Sequence, residues 1–283
     1  MKFTKKFAAF LTVLVFALAM TATVAFAAEA TTDWGNGVIR VTGSGVGKEK
    51  YKNHIGQYRL TAKQAARMDA QRKLAEYVQG VQVTAQSSMY DLALVDDRVK
   101  TALNTVVLKN AIDVGEPKYT DDGVCEVTME LRLFGGNTAV SSAAFIPFKD
   151  DPKVDFPQPV NKSVFNDSSI VGQNYTGLVI DCRGMNINCV MSPVIKNADG
   201  TKIYGHVNLD YDKIIVNGMA SYADDAYDQI SARRAGNNPL VIKAIRLDDL
   251  NANPVISVAD ADKILAANGK DKFLDNCAVV FVK

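Results

Sequence analysis

The chain has 283 residues, 48% of them hydrophobic and 22% charged, with 32 Lys and Arg against 31 Asp and Glu. That is enough chain and enough apolar content for one large or two ordinary domains with a real core. A net charge of +1, with no long block of Lys or Arg, counts against nucleic acid as the main partner.

The first thirty residues, "MKFTKKFAAFLTVLVFALAMTATVAFAAEA", place Lys2, Lys5 and Lys6 ahead of an uncharged apolar run that closes on Ala25-Phe26-Ala27. This is the pattern of an export signal over residues 1–27, cleaved between Ala27 and Ala28. An uncleaved anchor is the competing reading, because residues 7–28 are long enough to span a bilayer; the small-x-small ending favours cleavage. Removing the three lysines leaves 29 basic residues against 31 acidic, a net charge of −2. A periplasmic or secreted protein, associated with the cell envelope, is the expectation.

A first domain is expected over residues 34–136. "VIRVT" reads as a strand ending at Gly43, Gly45 and Gly47, where side chains would obstruct a bend. Thr61 and Gln64 have the spacing of a capping box, opening a helix that Gly80 closes. Its stripe is Ala62, Ala66, Ala70, Leu74 and Val78, an i, i+4 series suited to lying on a flat layer at close range. Lys63, Arg67 and Lys73 fall on other faces. Asp69 to Lys73 and Arg72 to Glu76 are spaced as i, i+4 ion pairs, which makes the cations solvent dressing on a packed helix.

"VQVTAQSS" then reads as a strand and "DDRVKTALNTVV" as a shorter helix. "LKNAIDVGEPKYTDDGVCEVTMELRLFG" reads as an antiparallel hairpin turning at Asp121-Asp122-Gly123. The order is β-α-β-α-β-β, an α+β domain. Residues 137–169 gather Pro147, Pro152, Pro157 and Pro159 among polar residues and read as a linker.

A second α+β domain is expected over residues 170–283, also with helices on a mostly antiparallel sheet. Its strands are "TGLVIDC", a hairpin "VMSPVIKNADGTKIYG" turning at Asp199-Gly200, "IIVNGMASY", "NPLVIKAIRL" and the terminal "CAVVFVK". "SVADADKILAANG" reads as a helix with Ser257 and Asp260 at its start and Gly269 at its stop.

Four cysteines in an exported chain allow three pairings. Cys182 and Cys189, nearest in sequence, are the candidates for a hairpin-closing disulfide. Cys125 alternates with Val127, Met129, Leu131 and Leu133, and so also reads as a buried thiol on a strand face. No metal or cofactor site is expected. CxxC and HxxxH spacings are absent, and the histidines are only His54 and His206.

"GSGVGK" lacks the spacing of a phosphate loop, since Thr42 stands where a Gly is needed and Glu49 where a Ser or Thr is needed. No nucleophile elbow or Ser-x-x-Lys occurs. The acid pairs Asp224/Asp225, Asp248/Asp249 and Asp260/Asp262 read as caps and solvated loops. A hydrolase would need His54 or His206 to meet a Ser, Cys or Asp in a cleft. No catalytic residue is assigned.

The helix "AARMDAQRKLAEYVQGVQV", followed by "DDGVCEVTMELRLFG", resembles the Lpp-twenty lipoprotein family of bacterial envelopes. It is also similar to the related N-terminal domain of flagellar assembly proteins of the T and P types. The resemblance covers roughly residues 37–136. It implies a small α+β domain with helices on a sheet, an envelope location and no active site. Lipidated members carry a Cys at the signal cleavage site, whereas the first Cys here is Cys125. No lipid anchor is therefore expected, and the T-type flagellar proteins are the nearer likeness.

The expected function is non-enzymatic: protein–protein contact in the envelope, in flagellar or envelope assembly, with basal-body components, other envelope proteins or a second copy as partner. An exposed sheet edge is one place where a partner strand would pair. The alternative is a small-ligand or glycan-binding module in the second domain, built on "NYTGLVIDCRG" and "NGMASY".

Overall fold

The computed structural model describes residues 30–283; the expected export signal and its expected Ala27/Ala28 cleavage site lie outside the described residues. The fold is α+β, with twelve strands in three four-stranded sheets and eight α-helices among the described residues.

The first sheet is antiparallel throughout. It contains β1 (Ala30–Asp33), β2 (Val38–Val46), β3 (Ile112–Tyr119) and β4 (Val124–Arg132) in the order β1-β2-β4-β3. Cys125, Val127, Met129 and Leu131 of β4 are buried on one face, as the alternation predicts. β1 is an additional strand, formed ahead of the expected start of the domain.

Helix α1 (Ile55–Gln79) lies on that face and buries Ala62, Ala66, Ala70, Leu74 and Val78, the stripe read from the sequence. The glycines of "GSGVG" do a different job from the expected one. β2 continues through Gly43 and Gly45, which pair with Val127 and Cys125 of β4. Along the helix-facing side the strand runs Ile39, Val41, Gly43, Gly45, so side-chain bulk falls to nothing where the helix passes. A Cβ on Gly43 would fall 2.1 Å from the Ala70 amide nitrogen and 2.4 Å from the Ala66 carbonyl oxygen. One on Gly45 would fall 2.3 Å from the Ala66 nitrogen. Here glycine admits a second backbone rather than a bend.

The helix also starts earlier than the Thr61/Gln64 spacing suggests. His54 is its N-cap, without a side-chain bond. Thr61 lies inside the helix, where its hydroxyl bonds back to the Gln57 carbonyl at 3.0 Å and accepts the Lys48 amide at 3.0 Å. A threonine that caps and a threonine that bonds back one turn look alike in sequence.

Residues 81–88 form an isolated bridge, Gln82 to Ser88, rather than a strand. Ser88 and Asp91 make a full capping box for α2 (Met89–Val95). The expected second helix follows as α3 (Asp97–Asn110).

Residues 137–169 differ from the expected linker in their first part. Ala139, Val140, Ala143, Ala144 and Phe145 are buried around α4 (Ser141–Ala144). The Ser141 hydroxyl donates to the Ile215 carbonyl at 2.6 Å, joining the two halves of the chain. Beyond Phe148 the backbone runs without regular elements to short 3₁₀ and α turns, including α5 (Ser168–Val171).

The second half has two sheets. One contains β5 (Gly177–Asp181), β8 (Ser221–Ala223), β9 (Pro239–Lys243) and β12 (Val279–Val282) in the order β8-β12-β5-β9. All its pairings are parallel, where antiparallel pairing was expected. The physical reason is burial on both faces, by which "GLVI" and "VVFV" are apolar without alternation. The other sheet is mixed: β6 (Ile195–Asn197), β7 (Lys202–Tyr204), β10 (Arg246–Asp248) and β11 (Asn253–Ile256), in the order β10-β11-β6-β7.

"IIVNGMASY" is not one strand. Its first residues belong to α6 (Tyr211–Asn217), capped by Asp210, and only Ser221–Ala223 is extended. "NPLVIKAIRL" divides between β9 and β10, in different sheets. α7 (Gln229–Ala235) follows β8 in the chain. α8 (Val258–Asp271) starts at Ser257 as expected but passes Gly269 and ends at Lys272 in the left-handed region.

Asp262, expected to serve as a solvated cap, is buried within α8. It accepts the Val160 and Asn161 amides at 2.6 and 2.9 Å, holding the irregular segment against the helix. One buried cluster runs from Ile39 and Val41 of the first sheet to Phe281 of the last strand.

The α1–β2 seat yields a pair of opposite effects. Gly43→Ala is expected to destabilise the protein by about 1–3 kcal/mol or more, through overpacking against backbone. Gly56→Ala, a helical position with open space around it, is expected to stabilise by about 0.4–1 kcal/mol. Thermal unfolding checks both; an unchanged midpoint for Gly43→Ala would mean that α1 does not rest on β2.

Candidate functional site

The turn between β1 and β2, residues 34–37, is where the two halves meet most intimately. Trp34 packs edge-on against Tyr222, with ring centroids 5.7 Å apart, and Tyr222 packs in the same manner on Phe281 at 5.6 Å. Backbone bonds from Met191 to the Gln82 carbonyl (3.0 Å) and from Ser192 to the Val83 carbonyl (2.7 Å) tie the halves nearby. These two bonds explain why 81–88 is not a strand of the first sheet: its carbonyls serve the second half.

A cleft of about 410 Å³ opens beside this turn. Gly35, Asn36 and Gly37 form one side and Phe134 another. Asn217, Ser221, Arg233, Arg234 and Asn276 come from the second half. Arg233 donates to the Gly35 carbonyl and to Asn36 Oδ1, both at 3.1 Å. Arg234 donates from Nη1 to the Asn217 carbonyl and from Nη2 to the Gly218 carbonyl at 2.7 Å. These are the carbonyls of the last residue of α6 and of the glycine that caps it, at the helix end where carbonyls lack intrahelical partners.

Arg234 is half-buried, but its Nε is fully buried with no hydrogen-bond partner among the described residues. Burial lowers the guanidinium below the ordinary arginine pKa, against the opposing influence of Tyr204 and Cys277 behind it. On the other side of the turn, a cleft of about 540 Å³ is lined by Thr32, Trp34, Glu76, Tyr77, Gln82 and Cys189 among others. The Thr32 hydroxyl donates to the Tyr77 hydroxyl at 3.1 Å across its floor.

Asp33 anchors the turn. Burial pushes its pKa up, but the Asn36 side chain and amide, with Arg40, outweigh that and leave it lowered. Asp69 does the equivalent on α1: burial is outweighed by the Ser44 amide at 3.0 Å, Arg72 at 2.8 Å and Lys73 at 3.0 Å. Arg72 also reaches Glu76 at 2.8 Å. Arg67 pairs with Asp113 of β3 at 3.1 Å, a partner outside its own helix. Lys73 is half-buried rather than exposed. Arg67, Arg72 and Lys73 are thus bound to acids.

The other sequence candidates separate. His54 is exposed at the start of α1. His206 stacks on Phe148 at 4.3 Å and meets Asp151 at 3.0 Å across a pocket of about 170 Å³. That satisfies one condition set for a hydrolase, but the pocket lining contains no serine, threonine or cysteine.

Asp224 pairs with Lys283 at 3.5 Å and Asp225 with Arg183 at 3.4 Å. Asp248 and Asp249 both face Lys196, at 3.8 and 2.6 Å. Among the described residues no group of three or more His, Cys, Asp or Glu is placed to hold a metal, and no helix is long and apolar enough to cross a membrane.

Cys182 and Cys189 are free thiols in the structure, as are Cys125 and Cys277, so the proposed hairpin-closing bond is not formed. Burial, with smaller contributions from Cys189 and Cys182, raises the pKa of the buried Tyr222 hydroxyl well above its ordinary value. That hydroxyl is fixed by the Val190 amide (3.0 Å) and carbonyl (3.1 Å). Burial pushes the Cys182 thiol up to about 12 and the Cys189 thiol up to about 11, from an ordinary value of 9.0.

Of the segments named for ligand binding, "NGMASY" supplies Asn217 and Ser221 to the arginine cleft, while "NYTGLVIDCRG" does not line it. Arg233 and Arg234 escaped notice because "SARRAG" reads as an ordinary helix end, where basic residues are common.

Residues 177–283 match the family model described as the second domain of Treponema pallidum Tp0624. No curated protein matches the chain.

The thiols make an alkaline prediction. Raised in the folded state, they keep their protons between pH 9 and about 11 while the unfolded chain loses them, so stability falls as pH rises through that window. Urea unfolding at pH 8, 9, 10 and 11 is expected to show a steady loss that is shallower in Cys189→Ala; parallel curves would mean that Cys189 is not buried.

Proposed function

We propose that this protein is exported to the cell envelope and works there by protein–protein contact, in assembling or bracing an envelope structure such as the flagellar basal body. The export-signal pattern and the Lpp-twenty-like pattern of the first half favour that location.

The observation that carries the contact reading is an apolar groove between α1 and α3. It has a volume of about 270 Å³ and is lined by Met68, Ala75, Val107 and Leu108, with Gln71, Arg72 and Asn104 beside them. Met68 and Leu108 are each 66% exposed, and Ile112, next to the Arg67–Asp113 pair, is 55% exposed. Isolated exposed leucines are ordinary. Contiguous ones, rimmed by ion pairs, mark an interaction surface.

The occupant we assign is an apolar segment of another envelope protein. The sheet edges serve this purpose less well. β1 has four residues, and β3 carries Pro117 and a register shift between Val114 and Lys118, features that blunt an edge against strand addition.

A photo-crosslinking residue at position 104, beside the groove, is expected in cells to join the protein to one envelope partner, with the adduct lost when Met68→Asp/Leu108→Asp is added to the same chain. An unchanged adduct pattern in that variant would remove the groove from the contact. For the flagellar version, a deletion strain is expected to swim poorly and to regain motility on complementation; normal swimming would leave a general envelope role and end the basal-body one.

The second reading, a small-ligand or glycan module, is favoured by the two clefts beside the 34–37 turn. One of them presents Trp34 and Tyr77 next to Thr32, Glu76 and Gln82, the mixture of aromatic faces and polar tips that suits a sugar.

A further inference from the structure

The arginine cleft has a charge imbalance that its surroundings do not explain. Arg40, Arg67, Arg72, Arg98, Arg183 and Arg246 each sit against an Asp or Glu; Arg59, which lies over the Tyr119 ring, and Arg132 make no ion pair among the described residues. Arg233 and Arg234 make no ion pair among the described residues, although they are adjacent in the chain and line one concavity. Their bonds are to neutral carbonyl and amide oxygens.

A guanidinium carries five N–H donors, and the structure engages two on Arg234, leaving its buried Nε unpartnered. The negative ends of α6 and α7 account for basic residues at this place, but a helix end supplies only about half a charge. Two guanidiniums call for more.

The remaining lining also favours donation. Asn276 Oδ1 accepts from Lys213 Nζ at 3.0 Å, while its Nδ2 group makes no hydrogen bond among the described residues and keeps both donors. Asn36 Oδ1 is occupied by Arg233, and the Asn36 Nδ2 and amide are committed to Asp33 at 2.7 and 2.9 Å. The Ser221 hydroxyl and the Asn217 amide complete the wall. Donors on cationic and neutral groups, around about 410 Å³, are the complement of a small molecule ending in oxygens that share a negative charge.

We infer that this cleft binds a small ligand through an oxyanion, a carboxylate or a phosphate. Arg233 is the principal charge contact, while Asn276, Ser221 and Asn217 meet the neutral remainder. Arg234 supplies field from the floor while holding the end of α6, so the turn 34–37 and the second half must be docked for the site to exist.

Calorimetric titration of the leaderless chain with glucuronate, glucose 6-phosphate and glucose tests this. One or both of the anionic sugars is expected to bind and glucose is not, with affinity falling as salt is raised; the arm that binds identifies carboxylate or phosphate. Arg233→Gln is expected to weaken binding about tenfold or more with an unchanged unfolding midpoint, because its side chain is exposed. Should that variant be destabilised, Asn276→Ala carries the same test, with a several-fold loss expected.

Equal binding of glucose, absence of binding by all three probes at millimolar concentration, or full affinity in both variants would overturn the site. Met68→Asp/Leu108→Asp, on the other half of the molecule, is expected to leave anion binding intact, so the failure of the contact reading and of this one are told apart.

Discussion

At Gly43 and Gly45 the backbone of β2 runs directly beneath Ala65, Ala66 and Ala70 of α1, so the helix rests on peptide groups instead of on side chains. Much else follows from that close seat. The helix sits low enough for Asp69 to take the Ser44 amide. It also brings Arg67 within reach of Asp113 on the far side of the sheet. Leu74 and Val78 then continue the stripe over the bulkier end of the strand, where Ile39 and Val41 provide ordinary apolar contact. The result is a wedge, thin at the glycines and thick toward the 34–37 turn, and that turn sits at the thick end, against the second half.

The junction is more than two domains in passing contact. Trp34, Tyr222 and Phe281 form an aromatic chain across it, and Phe134 lies over Gly218. Gln82 and Val83 give backbone carbonyls to Met191 and Ser192, and Ser141 reaches Ile215. Interfaces between independent domains tend to be polar and mobile; this one shares a continuous apolar cluster. The clefts that carry recognition chemistry flank this seam, which places their lining groups on elements locked from both sides, as a binding site requires.

Much of the first half was legible because its signals are local and mutually consistent. The alanine stripe of α1, the alternation of β4 and the Asp121-Asp122-Gly123 turn each follow from one side chain every two or four residues. The glycines of β2 were visible, but their purpose was not: an open strand face and a bend ask for the same residue, and only a partner 25 positions away decides between them. Thr61 failed for the same kind of reason, since its hydroxyl serves a cap or a back-bond with equal chemistry.

The parallel sheet was marked by unalternating "GLVI" and "VVFV", a signal available in the sequence. "IIVNGMASY" misled because two isoleucines and a valine suit a strand as well as the buried side of a short helix. The arginine cleft was least legible, since its members come from five separate stretches of chain and no spacing records that they converge.

Asp262 offers a last point. A carboxylate sealed inside α8 with both oxygens taken by the Val160 and Asn161 amides is a clasp for a strand-less stretch that cannot fasten itself. The two bonds cross about a hundred residues of chain, so the stretch that cannot fasten itself is held by a helix far along the sequence, and residues 177–283 act as the buckle for the chain that precedes them.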